Sequence, residues 1–365
     1  MKSFAKENLI ILIIILILGS YLGIKAFGDG WDGWGFGSAQ VLMSSEYWAK
    51  DGFAKNYFLF IPSPYSKLIK YLDEPEFRNR TIDDFSGALK RNRVYYTHYP
   101  PLFLVPYALM TKTSFESRAT FRIFSLLISL AALFLFYLFI KSISTRAIAV
   151  IASIYYGFSV TFLNYADSIS TQPFTIFFTF LILLLSVTAS RRTVLIWAAY
   201  LTLSLSSYDA TFFVFAWLVL YDAIILCPFE TSPVGRKKLL WQKWLFFASA
   251  PLLGFALQII QNTWYLGWIG TWRDIYASYI GRAIGSLKGF ILGLIAPFVS
   301  MTSFKTVFIF KKTVVALTSA IAIFVSLWEI SRRERNFRQK IGLNANYFKI
   351  ILILAIAAVA QPFFI

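Results

Sequence analysis

The sequence predicts an all-α polytopic membrane protein. About nine transmembrane helices are expected, with interfacial helices in the first and in a late non-cytoplasmic loop. Three observations carry that expectation. Of 365 residues, 58% are hydrophobic and 15% charged, where soluble proteins carry roughly a quarter charged residues. Apolar runs long enough to cross a hydrocarbon core of about 30 Å recur along the chain. Lys and Arg gather in alternate short gaps between those runs, as the positive-inside tendency requires.

The first run, "NLIILIIILILGSYLGI", follows Lys2 and Lys6. It exceeds the roughly 7–15 residues of a signal-peptide core and has no convincing small-x-small cleavage site after it, so it is read as a spanning helix. The expected spans are 8–26, 119–140, 147–164, 172–190, 193–207, 210–227, 244–262, 313–330 and 348–365. With a cytoplasmic N-terminus, the inner gaps hold Lys141 and Arg146, then Arg191 and Arg192, then Arg236, Lys237, Lys238 and Lys243, then Arg332, Arg333, Arg335, Arg338 and Lys340. Two shorter apolar pieces, 100–110 and 289–301, are opened or interrupted by proline and read as interfacial or re-entrant helices. The net charge of +17 is thereby absorbed by membrane orientation, and nucleic acid is excluded as a partner. A lone Cys227 excludes an intramolecular disulfide, and a lone His98 confines histidine chemistry to one position.

Residues 1–365 form one transmembrane domain in this reading, with two long segments on the non-cytoplasmic side. In the first, 27–118, the acids from Asp29 to Asp84 make up half of the chain's total. In the second, 263–312, Asp274 is the sole acid beside Arg273, Arg282, Lys288, Lys305, Lys311 and Lys312. Acids and cations therefore face one another across one membrane surface.

The first segment opens with "KAFGDGWDGWGFGSAQ", where Asp29 and Asp32 stand among glycines and tryptophans. Apolar positions Ala39, Leu42, Met43, Tyr47 and Phe53 then predict an amphipathic helix closed at Gly52. Asp32 precedes that helix, where the macrodipole favours an anion; turn-making and capping are the plainer roles for both acids. Residues 71–93 are polar and balanced in charge, and read as a solvated excursion. In "YYTHYPPLFLVPYALMTK", Pro100 extends the preceding backbone and Pro101 suits a first helical turn. Tyr96, His98 and Tyr99 are thereby held at headgroup level, His98 for either structural hydrogen bonding or catalysis.

Taken together these features resemble the GT-C superfamily of integral membrane glycosyltransferases, which includes protein O-mannosyltransferases and aminoarabinose transferases. The matching elements, in order, are a first span, an acid opening the first outer loop, and an interfacial helix ending near "DGF". A His-Pro-type motif follows, here "THYPPLFLVPYAL", then a span with an "E…R…R" opening, here "ESRATFRIFSLLISLAALFLFYLF", and a second acid in "NYADSISTQPF". The likeness covers residues 8 to 230. One departure stands: many relatives carry an Asp-Glu pair in the first loop, whereas Asp29 and Asp32 are three residues apart, so either can occupy that position.

The resemblance implies a polyprenyl-phosphate-linked sugar donor and a lipid, glycan or protein hydroxyl acceptor, met among membrane lipids on the non-cytoplasmic face. An acceptor hydroxyl needs a base, which a carboxylate supplies, and Asp32 is the first candidate with Asp29 next. Asp167 corresponds to the second acid, either orienting the acceptor, helping to hold a divalent metal or capping the helix after it. Asp209, in "SSYDA", either lines the same cavity or caps its helix. The leaving lipid phosphate calls for cations, for which Arg273, Arg282 and Lys288 are the candidates, with attraction to lipid headgroups as their plainer role. No cofactor is required where those cations suffice; a divalent metal is the other possibility. The alternative class is a polytopic lipid or solute transporter without glycosyl-transfer chemistry, which would place charged or broken positions mid-span and show inverted repeats. No internal repeat is evident, and the acids cluster at one surface.

Overall fold

A computed structural model describes residues 2–28, 35–64, 89–90, 93–97, 100–113, 115, 117–189, 192–222 and 234–299. The described chain is mostly helical. Helix α1 (Lys2–Phe27) leads into α2 (Gly35–Asp51), a 3-10 turn (Ala54–Asn56) and a small sheet built from β1 (Phe60–Pro64), β2 (Leu89–Lys90) and β3 (Arg93–Tyr96). Helices α3 (Leu104–Lys112), α4 (Arg118–Ile143), α5 (Arg146–Gly157), α6 (Val160–Tyr165), α7 (Gln172–Thr188), α8 (Thr193–Ser204), α9 (Asp209–Tyr221) and α10 (Val234–Val299) follow. Among the described residues three stretches are long and apolar enough to cross a membrane: Asn8–Phe27, Arg118–Ile143 and Trp241–Tyr276. Helices α5, α7, α8 and α9 are apolar but shorter. The expected spans at 313–330 and 348–365 lie outside the described residues.

Local chemistry accounts for the boundaries. Ser117, Thr145 and Ser159 each accept a hydrogen bond from the backbone N–H three residues on, satisfying a donor that the first helical turn leaves open. The Ser159 cap also divides the expected 147–164 span into α5 and α6. Gly52 adopts φ +90° directly after α2, the left-handed conformation expected of a C-terminal glycine.

The structure departs from the all-α expectation in the first long segment. The sheet is antiparallel in the order β1-β3-β2, with Phe60 opposite Tyr96 and Leu89 opposite Val94. Pro62 and Pro64 lack the N–H that a central strand needs, and β1 accordingly lies at an edge. Tyr96 thus belongs to a strand rather than to a loop. A second difference concerns the late segment: α10 runs through 263–299 as helix, broken once at Gly267 (φ 75°, ψ 169°), and 289–299 continues it instead of forming a separate short helix.

Three apolar cores organise the described residues. One joins α1, α4, α5 and α6 through Leu18, Leu133, Tyr137 and Phe162. A second joins α4, α7, α8, α9 and α10 through Phe139, Tyr200, Trp217 and Phe247. The third lies under the sheet and gathers Trp48, Ile61, Tyr95, Tyr107, Phe121, Ile169 and Tyr265. Helix α4 contributes to all three, so its first turns sit between α1, the sheet region and the α6–α7 connection.

Candidate functional site

The α6–α7 connection is a buried loop, with Ala166, Asp167, Ser168, Ile169 and Ser170 all withdrawn from solvent. Buried backbone polar groups demand partners, and neighbouring helices supply them. Ser129 Oγ donates to the Ala166 carbonyl at 2.7 Å and Tyr107 Oη to the Ser170 carbonyl at 3.4 Å, while Thr171 Oγ1, at the end of the loop itself, donates to the Ser206 carbonyl at 2.7 Å.

Asp167 sits in the middle of this loop, fully buried, with a cation on each oxygen. Arg122, 1% exposed, donates from Nε to Oδ2 at 2.9 Å and again from Nη2 to the same oxygen. Lys25 Nζ meets Oδ1 at 3.2 Å and also donates to the Leu163 carbonyl at 3.0 Å. The Lys25 side chain remains 33% exposed, so the cluster reaches solvent or headgroups from one side. A carboxyl group held this way is a fixed anchor: its oxygens face cations, which oppose the approach of a divalent ion. Asp167 does not cap α7; the residue at that cap is Thr171. Among the described residues no group of three His, Cys, Asp or Glu side chains could hold a metal.

The cluster reaches α1 at Lys25, three residues ahead of Gly28, where the glycine-tryptophan segment begins. Gly28 donates its N–H to the Lys25 carbonyl at 3.1 Å, and its own carbonyl accepts from Arg118 Nη2 at 3.4 Å. Asp29 and Asp32, which follow Gly28 in sequence, lie outside the described residues. Both arginines of the "E…R…R" opening are therefore bound to elements far away in sequence: Arg118 to the end of α1 and Arg122 to the α6–α7 loop.

A second polar assembly surrounds Thr97. Its carbonyl accepts from Asn262 Nδ2 at 2.9 Å and from Gln258 Nε2 at 3.3 Å, and its hydroxyl donates to Asp274 Oδ2 at 2.6 Å. Asn262 and Asp274 flank the break in α10. In a straight helix they would stand about 18 Å apart along the axis and about 120° apart around it. One threonine bonds both because the chain changes direction at Gly267, whose φ of 75° and ψ of 169° are open to glycine and strained for other residues. His98 and Tyr99, next in sequence, lie outside the described residues, and Pro100 beyond them is buried.

The remaining sequence candidates are spread out. The Tyr96 ring meets the Phe60 ring edge-on at 6.4 Å, across the β1–β3 pair. Arg273 is exposed on α10, next to the Asp274 that Thr97 engages. Arg282 and Lys288 fall further along α10, and Asp209 is the first residue of α9, after a Tyr208 cap. Sequence reasoning missed the pairing of Arg122 and Lys25 with Asp167, and the Thr97 clamp. An arginine inside a membrane-length apolar helix was the available signal for the first, since such a charge requires a partner.

The fold and these contacts define a helical protein with membrane-length segments and a buried charged cluster. No family model matches the chain, and neither a curated protein nor a solved structure matches it.

Proposed function

We propose that this chain is a multi-pass membrane glycosyltransferase that moves a sugar from a polyprenyl-phosphate carrier to a hydroxyl acceptor on the non-cytoplasmic face. The observation that carries the reading is the Lys25–Asp167–Arg122 cluster. It ties the end of α1, the start of α4 and the "NYADS" loop together, and these are the segments in which the resemblance seeks its two acids. In this reading the N-terminus is cytoplasmic and the chain crosses the bilayer about nine times.

Asp32, or Asp29 beside it, accepts the proton of the acceptor hydroxyl as that oxygen attacks the anomeric carbon. The bond from the anomeric carbon to phosphate oxygen breaks, its electron pair leaves with the polyprenyl phosphate, and the configuration inverts. The proton later returns from the carboxyl group to water. Positive charge stabilises the departing phosphate, with Arg273, Arg282 and Lys288 as the candidates. Asp167 positions the site through Arg122 and Lys25 and leaves the proton transfer to the first-loop acids.

The test is transfer from radiolabelled polyprenyl-phosphate sugars by the purified wild type, Asp32→Asn, Asp29→Asn and Asp167→Asn. Loss of more than about 10²-fold in a folded Asp32→Asn variant is the expected result. Equal loss in Asp29→Asn alone moves the base to that residue. No turnover of any donor, together with movement of a labelled lipid across vesicles, replaces the reading with transport.

A further inference from the structure

Beyond the break at Gly267, α10 presents two unlike faces. Thr271 is fully buried and Asp274 is bound to Thr97, so that side rests on the protein. On the other side Trp268 (60% exposed), Ile269 (67%), Trp272 (45%) and Tyr276 (68%) stand open. At 100° per residue these four, with exposed Arg273, occupy an arc of about 140° opposite Thr271 and Asp274. The spacing of four residues between Trp268, Trp272 and Tyr276 lines their rings along the helix, and the two tryptophans meet edge-on at 5.4 Å.

Tryptophan and tyrosine favour the boundary between hydrocarbon and headgroups, where an apolar ring and a polar N–H or O–H are both accommodated. An arginine beside such a face is placed to meet lipid phosphate. The preceding part of α10 fits the bilayer in length. From Trp241, itself 61% exposed and ring-paired with Trp244, to Trp264 is about 35 Å of helix. That matches the hydrocarbon thickness of about 30 Å with aromatics at both ends. The chain then turns at Gly267, three residues after Trp264.

We propose that the Trp268–Trp272–Tyr276 face is a lipid-docking surface, on which the post-Gly267 part of α10 lies along the headgroup layer instead of continuing across the bilayer. The occupant is the phospholipid interface, with Arg273 meeting its phosphates. The inference rests on the membrane insertion in the proposed function, and by giving Arg273 to the bilayer phosphates it leaves Arg282 and Lys288 as the candidates for the departing phosphate there.

The test places nitroxide labels on single cysteines in a Cys227→Ser background, in vesicles of phosphatidylcholine and phosphatidylglycerol. The variants are Trp268→Cys, Trp272→Cys and Tyr276→Cys, with Ile269→Cys as a second site should a tryptophan variant fail to fold. Depth is read from collision with oxygen against a water-soluble nickel chelate. Labels at Leu252 and Ile260, both exposed on the spanning part, report the hydrocarbon. The expected result is a common depth at the phosphate level, the sites agreeing within about 3 Å. A progressive change of about 12 Å from residue 268 to residue 276 would mean a continuing span and overturns the proposal. So does full access to the chelate at every site, or shielding from both reagents, which would place a protein partner there. Water access at Leu252 and Ile260 would instead overturn membrane insertion itself.

Discussion

Removing the carboxylate of Asp167 and removing the guanidinium of Arg122 should each strand a buried charge, so the two losses should not add. Asp167→Asn leaves the Arg122 guanidinium, 1% exposed, facing an amide where a charge stood. Two unit charges about 4 Å apart attract by about 4 kcal/mol at an effective dielectric constant of about 20. Stranding one buried partner costs about 3–5 kcal/mol. At 1.36 kcal/mol per decade, a 4 kcal/mol loss shifts the unfolding equilibrium about a thousandfold. Arg122→Met should cost a similar amount by stranding the carboxylate, although Lys25 retains part of its charge compensation. The double variant Arg122→Met/Asp167→Leu should cost at least about 2 kcal/mol less than the sum of the single changes, because each removes the other's penalty. Lys25→Met should cost at most about 1 kcal/mol, since its charge is one-third exposed and screened. Equilibrium unfolding in mixed micelles, titrated with a denaturing detergent, measures all four. Single variants within about 0.5 kcal/mol of wild type, or strict additivity in the double, would refute a buried, interdependent pair.

The α10 break predicts that Gly267→Val destabilises by about 1–2 kcal/mol from backbone strain, since its φ is 75° and nothing lies within 4 Å of an added Cβ. A thermal melt in detergent checks this, and Gly267→Ala should show a comparable loss, because φ 75° with ψ 169° is a backbone region essentially open to glycine only. Thr97→Val should lose about 1.5–3 kcal/mol with the hydrogen bond to Asp274, while Thr97→Ser retains it; the same melt distinguishes the two. Gly157→Ala should cost about 1–3 kcal/mol by overpacking, because its Cβ would stand 2.8 Å from Leu18 Cδ1 and 3.2 Å from Leu133 Cδ2. A Leu18→Val background should reduce that cost in the same measurement.

The features legible in the sequence are those with local periodicity. The long apolar runs of α1 and α4 announce themselves, as does α2 with Gly52 at its end, and Asp167 stands out as an acid beside an apolar span. What escaped depends on partners distant along the chain. Strands β1 and β3 are short, proline- or tyrosine-rich, and pair across about thirty residues of sequence, so neither carries an alternation long enough to read. Arg122 looks like an interfacial charge near a helix start, and nothing local indicates a carboxylate 45 positions on. The expected span ends at 262, ahead of Gly267. Gly267 interrupts the helix just beyond that point, but no proline follows before Pro297, so the helix resumes in a new direction instead of giving way to a loop.

The two polar assemblies share a logic that stability alone does not require. A well-packed apolar group can often replace a buried ion pair without loss, and α4 could have met the α6–α7 loop through leucines. Here instead a guanidinium and an ammonium group fix one carboxyl group from two directions. They bind a loop to the last turn of α1, three residues ahead of Gly28. In the same way Thr97 is held by Asn262 on one side of the Gly267 break and Asp274 on the other, directly before His98 in sequence. Hydrogen bonds and ion pairs specify direction, which apolar contacts do not. Each assembly therefore fixes the orientation of the backbone that enters a segment rich in chemistry-bearing residues: Asp29 and Asp32 after one, His98 and Tyr99 after the other. A protein needing only to fill a membrane would have no use for that constraint, whereas one that must hold a base against a reacting sugar would. On the proposed glycosyl-transfer function, Asp167→Asn/Arg122→Leu, even where it folds as well as wild type, should therefore transfer sugar more slowly, measured with the radiolabelled polyprenyl-phosphate donors.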